Sequence, residues 1–211
     1  MKKPKPRSRL VRYLLGLFSL FLCRALTRFS VEGKQNLPKK GPYILAPNHT
    51  DDVDPAPITA AIIKPITYLM AEDQAKLPWY KAWGPRSYGV ILVNRSNLQI
   101  STIKNIQRQI LKKEIICIFP EGGIPEPGVI LKEFKNGAFS LAIQFQIPIV
   151  PITFLDCEKK FSYFFAYNHF YGSPGKLRAN VHEFIETKGL NQENREFLKE
   201  KVYDIIHKDL L

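Results

Sequence analysis

The chain has 211 residues, 45% of them hydrophobic, and a formal net charge of +12. That length and apolar content give one domain with a sizeable core and exclude a disordered or low-complexity protein. Three cysteines, an odd number, exclude a disulfide-built scaffold and fit a reducing compartment. The charge is uneven. Residues 1–40 hold eleven Lys or Arg against Glu32 alone, a net of +10, whereas residues 41–211 carry a net of only +2.

The first predicted element is an anchor. Lys2, Lys3, Lys5, Arg7, Arg9 and Arg12 precede an apolar run from Tyr13 to Cys23, broken by Ser19 and closed by Arg24 and Arg28. A bilayer span needs about 20 predominantly apolar residues, and this run is about half that. A helix lying in the interface, with its basic side chains on anionic head groups, fits better. A cleaved signal peptide shares the basic start, but no small-residue cleavage site precedes Arg24 and Arg28. The expectation is a monotopic protein on the cytoplasmic face of the inner (cell) membrane, with residues 1–32 as membrane-anchoring segment and residues 33–211 as the functional domain.

Residues 31–42, with glycine, prolines and lysines, read as a link between the two. Residues 43–46 and 66–70 read as buried strands, and residues 88–95 as a short β-type run. Residues 97–113 place Ile100, Ile103, Ile106 and Ile110 at helical spacing, the pattern of an amphipathic helix on a sheet. Residues 115–123 are a buried strand ending in an acid and two glycines. Residues 137–145 are a buried helix, 147–152 a proline-bracketed strand and 177–184 a further strand. Residues 191–210 form a closing helix with Leu198, Val202, Ile205 and Ile206 on one face. Strands alternating with helices predict an α/β fold, a single domain with a mixed, partly parallel sheet flanked by helices. Residues 77–83, with Trp79 and Trp83 beside lysines, and the aromatic residues 161–167 suit either a lipid surface or the core.

The densest chemistry is His49-Thr50-Asp51-Asp52-Val53-Asp54, directly after a predicted strand and before Pro55 and Pro57. The two prolines bias Asp54 and Ala56 away from helical angles, so the segment is expected to be a loop at a strand end, where a rigid sheet presents reactive groups. A carboxylate that holds a histidine fixes its tautomer and stabilises its protonated form, which makes a general base. Two other readings stand beside that one. Asp54 suits a helix N-cap with Pro55 at the first helical position. Asp51, Asp52 and Asp54 are also hard oxygen donors suited to a cation. Arg95 follows an apolar run, where its fork suits either a phosphate or plain solvent. Glu121-Gly122-Gly123 reads as a turn whose bare amides suit an oxyanion. No G-x-S-x-G nucleophile elbow occurs. Cys23, Cys117 and Cys157 lie in or beside apolar runs, which disfavours a covalent mechanism. His169, His182 and His207 have no carboxylate at the motif spacing and read as structural or exposed.

Four segments fall in one order: Asn48-His49 through Asp54, Gly89 through Asn94-Arg95, Phe119-Pro120-Glu121-Gly122, and Ile147-Pro148-Ile149-Val150-Pro151. Together they resemble the four blocks of the glycerolipid acyltransferase family, whose best-known member type is 1-acylglycerol-3-phosphate acyltransferase. The resemblance covers most of the chain from Gly33 onward. It implies acyl transfer from a thioester, with acyl-CoA or acyl-carrier protein as co-substrate and no cofactor or metal. The acceptor is the free hydroxyl of a lyso-glycerolipid, 1-acylglycerol-3-phosphate becoming phosphatidic acid. His49 would be the general base and Asp54 would orient it. Arg95, Glu121, Gly122, Gly123 and Lys135 would bind the acceptor.

One departure stands out. The family's third block continues with threonine and a phosphate-binding arginine, where this chain has Gly123 and Ile124. A charge-assisted contact of that kind is worth about 1.5–3 kcal/mol, so a different lyso-lipid, such as an aminoacyl one, is the alternative acceptor. A non-catalytic lipid-binding relative is a further alternative. Nucleic acid is the other partner a basic terminus suggests, but the apolar run directly behind the charges favours membrane lipids. Acyl-chain preference, donor type and oligomeric state are not legible.

Overall fold

The apolar, β-branched runs between Gly and Pro residues become the strands of one sheet. The computed structural model describes residues 8–50, 54–72, 89–94, 99–155 and 177–211. In chain order the elements are α1 (Arg9–Leu26), β1 (Ser30–Glu32), β2 (Tyr43–Pro47), α2 (Pro55–Ile62), β3 (Ile66–Ala71) and β4 (Val90–Val93). They continue with α3 (Ile100–Leu111), β5 (Ile115–Cys117), α4 (Gly137–Phe145), β6 (Ile149–Leu155), β7 (Arg178–Val181) and α5 (Arg195–Leu210). Arg95, Asp51, Asp52, Cys157, His169 and the aromatic stretches 77–83 and 161–167 lie outside the described residues.

Among the described residues the sheet order is β1-β7-β6-β2-β5-β3-β4. The five strands from β6 to β4 are mutually parallel. β7 runs antiparallel to β6, and β1 runs parallel to β7. The fold is the expected single α/β domain with a mixed sheet and flanking helices. β1 takes in Val31 and Glu32, the start of the stretch read as a link, and Val31 sits opposite Ala179. Three residues are too few to show a period in sequence.

β2 is the middle of the sheet and is buried on both faces. Tyr43 and Leu45 join the core on one side, and Ile44 and Ala46 join the core on the other. This is the period-two alternation of a strand covered twice. α2 supplies Ile58, Ala61 and Ile62 to the first layer. α3, α4 and α5 supply Ile106, Phe139, Leu198, Val202 and Ile206 to the second. On α3 the buried side is Thr102, Ile106, Gln109 and Ile110, while Ile100 is 72% exposed. At 3.6 residues per turn, Ile100 points about 120° away from Ile106, so only part of the expected isoleucine stripe meets the sheet.

α1 packs on α2 with an inverted polarity. Arg12, Gly16, Ser19 and Cys23 are buried, and a Cβ on Gly16 would stand 3.4 Å from the Thr59 methyl. The large apolar residues Leu10, Tyr13, Leu14, Leu17, Phe18 and Phe21 are exposed instead. Arg12, read in the sequence as a head-group contact, is only 4% exposed. It donates to Glu114 from Nη1 at 2.8 Å and from Nη2 at 3.0 Å, and more weakly to Thr67 Oγ1 and the Ile66 carbonyl. Arg9 adds a 2.9 Å bond to the same carboxylate. No helix among the described residues is long and apolar enough to cross a membrane. At the other end of the chain, Asp209 of α5 accepts from Asn180 and lies 3.3 Å from His182 Nε2, which also meets Thr153 at 2.7 Å. His182 thus has a carboxylate partner that its sequence neighbourhood does not show.

Candidate active site

The site begins where β2 ends. Asn48 continues the strand pairing with its side chain: its amide oxygen accepts from Phe154 N–H at 2.7 Å and its NH2 donates to the Phe154 carbonyl at 3.1 Å. That pins the residue before His49 to β6. β2 lies between β5 and β6, and the chain crosses over it between those two strands. Its carboxyl end is thus a topological switch point, where open α/β sheets bind ligands.

His49 Nδ1 lies 2.8 Å from Asp54 Oδ2. Thr50 donates its N–H to the same oxygen at 2.6 Å and its hydroxyl to Oδ1 at 2.8 Å. Asp54 is fully buried and occupies the cap position of α2, with Pro55 at the first turn, yet its side chain makes no capping bond. The cap reading therefore describes its place and not its carboxylate. Its backbone is helical, φ −50° and ψ −29°, against the bias that Pro55 imposes. The hydrogen bonds to its carboxylate, and that from Ile58 N–H to its carbonyl at 3.2 Å, hold it there.

With Nδ1–H given to Asp54, the lone pair of His49 lies on Nε2. No described residue hydrogen-bonds that nitrogen, and the side chain is 17% exposed. Phe119 stacks on the imidazole, ring centroids 4.1 Å apart and planes 24° from parallel. The histidine is clamped on one edge and one face, and among the described residues nothing bonds its far nitrogen, which is the geometry a general base requires.

Glu121, from the segment after β5, is 1% exposed. Oε1 accepts from the backbone N–H of His49 at 2.5 Å, and Oε2 accepts from that of Lys132 at 2.9 Å. Burial raises its pKa, opposed by those two amide bonds. Gly122 has φ +70°, a backbone position that suits glycine, and a Cβ there would stand 2.8 Å from Lys135 Cδ. Lys135 is drawn across Gly122 while its own N–H donates to the Pro120 carbonyl at 2.8 Å. Apart from its chain neighbours, no described residue lies within 4 Å of where a Cβ on Gly123 would stand. The structure thus brings His49, Asp54 and Glu121 together and lays Lys135 over Gly122. Thr50 and Phe119 complete the site. Neither is a candidate from the sequence alone, although Thr50 belongs to the quoted first block and Phe119 to the third.

The two described cysteines are poor nucleophiles. Burial pushes the Cys23 thiol up to about 12 and, with the Asp54 charge, pushes Cys117 well above its ordinary value.

A family model described as Acyltransferase matches residues 28–155, more than half of the chain. Mus musculus 1-acyl-sn-glycerol-3-phosphate acyltransferase alpha is 26% identical over 180 residues, covering 83% of this chain and 61% of that protein. The 1-acyl-sn-glycerol-3-phosphate acyltransferase of Borreliella burgdorferi is 27% identical over 182 residues, covering 85% and 70%. This chain therefore spans less than two thirds of the mouse protein's length. The fold is shared with the crystal structure of the 1-acyl-sn-glycerophosphate acyltransferase PlsC of Thermotoga maritima, at a TM-score of 0.73 and 20% identity, over 94% of this chain and 78% of that one. With the four blocks in order and the His49–Asp54 pair at the end of β2, the chain belongs to the Acyltransferase family.

Proposed function

We propose that this chain transfers a fatty acyl group from an acyl thioester, acyl-CoA or acyl-carrier protein, to the free hydroxyl of a lyso-glycerolipid. The acceptor is 1-acylglycerol-3-phosphate and the product phosphatidic acid. The observation that carries this reading is the 2.8 Å His49–Asp54 pair, with no described residue hydrogen-bonded to Nε2. His49 Nε2 takes the proton from the acceptor hydroxyl as its oxygen attacks the thioester carbonyl. Asp54 stabilises the imidazolium that forms. The C–S bond breaks and the departing thiolate takes the proton back from His49. The enzyme is never acylated, in keeping with the buried thiols of Cys23 and Cys117.

The acceptor phosphate is held by Arg95 and Lys135, and the amides of Gly122 and Gly123 face the developing oxyanion. The absence of a described neighbour at Gly123 supports room for a head group where the family has threonine. The relatives' names point to the same acceptor.

The exposed stripe from Leu10 to Phe21, with Arg9 and Arg24 at its ends, supports the reading in which residues 1–32 act as a membrane-surface segment, taken here to lie on the cytoplasmic face, and residues 33–211 as the catalytic domain. The test offers purified protein in anionic vesicles a panel of lyso-lipids with acyl-CoA and reads the products by mass spectrometry. Phosphatidic acid from lysophosphatidate is expected. Product only from a lyso-lipid without a phosphomonoester would reassign the acceptor, and no product from any donor and acceptor would overturn the reading.

A further inference from the structure

Glu121 lies beside the general base, yet its geometry is not that of a substrate ligand. It is buried to within 1% of its surface, and each carboxylate oxygen already accepts a backbone N–H, one from His49 and one from Lys132. An acceptor phosphate is recognised by cations, and a carboxylate turned toward it is repulsive. Folded inward, the charge faces two amides instead. Those amides belong to segments 83 residues apart: the loop that carries His49 after β2, and the loop that leads from β5 to Lys135. The same segment contributes Phe119, stacked on the imidazole, and Gly122, under Lys135.

We infer that Glu121 is a positioning residue: its carboxylate ties the His49 backbone to the Lys132–Lys135 segment and so fixes the general base relative to the acceptor site. This rests on the acyltransferase reading for its catalytic consequence, but not for its structural one. Asp54 sets the rotation of the imidazole and Glu121 sets the place of its backbone. A carboxylate is required because both contacts are donors. In Glu121→Gln one acceptor oxygen becomes an NH2 group facing an N–H, and one tie is lost.

Displacements on the order of 1 Å at a reacting centre cost about 100-fold in rate. Glu121→Gln should therefore lower kcat by about 100-fold with the acceptor KM unchanged, and by the same factor for every acceptor head group. A raised acceptor KM with kcat intact, or a loss that varies with head group, would make Glu121 a substrate contact and overturn the inference. Amide hydrogen exchange on the unmodified protein, read by NMR without substrate, tests the tie independently of both activity and variant folding. The His49 and Lys132 amides, outside helix and strand, should be protected. Exchange at the rate of open loop amides would overturn the inference even in an active enzyme, whereas protection in a protein that transfers no acyl group would sustain the tie and remove only the proposed reaction.

Discussion

Asp54 directs its carboxylate to His49 and to both donors of Thr50, so the imidazole is fixed in one tautomer from a rigid base. Asp54→Asn keeps the shape but loses the charge that stabilises the imidazolium. It should lower kcat by about 100- to 10,000-fold, the usual contribution of general acid–base catalysis, with an unchanged circular-dichroism spectrum. A loss below tenfold would remove Asp54 from the mechanism. The thiols make the complementary prediction. Burial holds Cys23 and Cys117 in the unreactive protonated form, so a chain with all three cysteines replaced by alanine should retain thioester turnover. A dead but folded triple variant would indicate an acyl-cysteine intermediate.

Helix α1 is held to the domain at its first turn by a buried ion pair, side chains of Arg12 and Glu114 being 5% and 2% exposed. Such a pair is expensive to break on one side, because the remaining charge is buried away from water with no countercharge. Glu114→Ala should lower stability by about 3–5 kcal/mol in urea unfolding, and the double change Arg12→Met with Glu114→Leu should recover most of it. Equal losses in the single and the double variant would contradict that account. The far end of the domain has a pH-dependent clasp. Burial lowers the pKa of His182 below its ordinary 6.5, against the pull of Asp209 beside it; Thr153 and Asn180 are the neutral neighbours. The unfolded chain therefore binds more protons than the native state just below pH 6.5, so stability falls as the pH drops from there through the folded pKa. His182→Asn should flatten the slope of Tm against pH in that window, and an unchanged slope would assign it to other groups.

At the scale of the whole molecule, the exposed apolar side of α1 predicts that the protein floats with anionic vesicles, and that Leu17→Lys with Phe18→Lys stays behind while remaining folded. Equal flotation of the two would place the membrane contact elsewhere. Much of the architecture was legible in sequence because central strands are continuous apolar runs: residues 43–46 and 66–70 reappear as β2 and β3, whereas of the run read as a strand over 115–123 only Ile115–Cys117 pairs as β5 and the rest turns into the site. The His49–Asp54 pair was legible because both partners sit in one loop. What was hidden depends on distant partners. Arg12 reads as a surface cation until Glu114, 102 residues away, is folded against it. Glu121 reads as a pocket residue until the His49 amide, 72 residues away, is. The inversion of α1 has the same origin, since only the position of α2 decides which side of an apolar helix is covered. The most direct test of the central claim is thiol release from acyl-CoA in vesicles containing lysophosphatidate, native chain against His49→Ala. Acceptor-dependent release by the native chain, absent from a folded variant, is the predicted result, and undiminished release by the variant would contradict the assignment of His49 as the base.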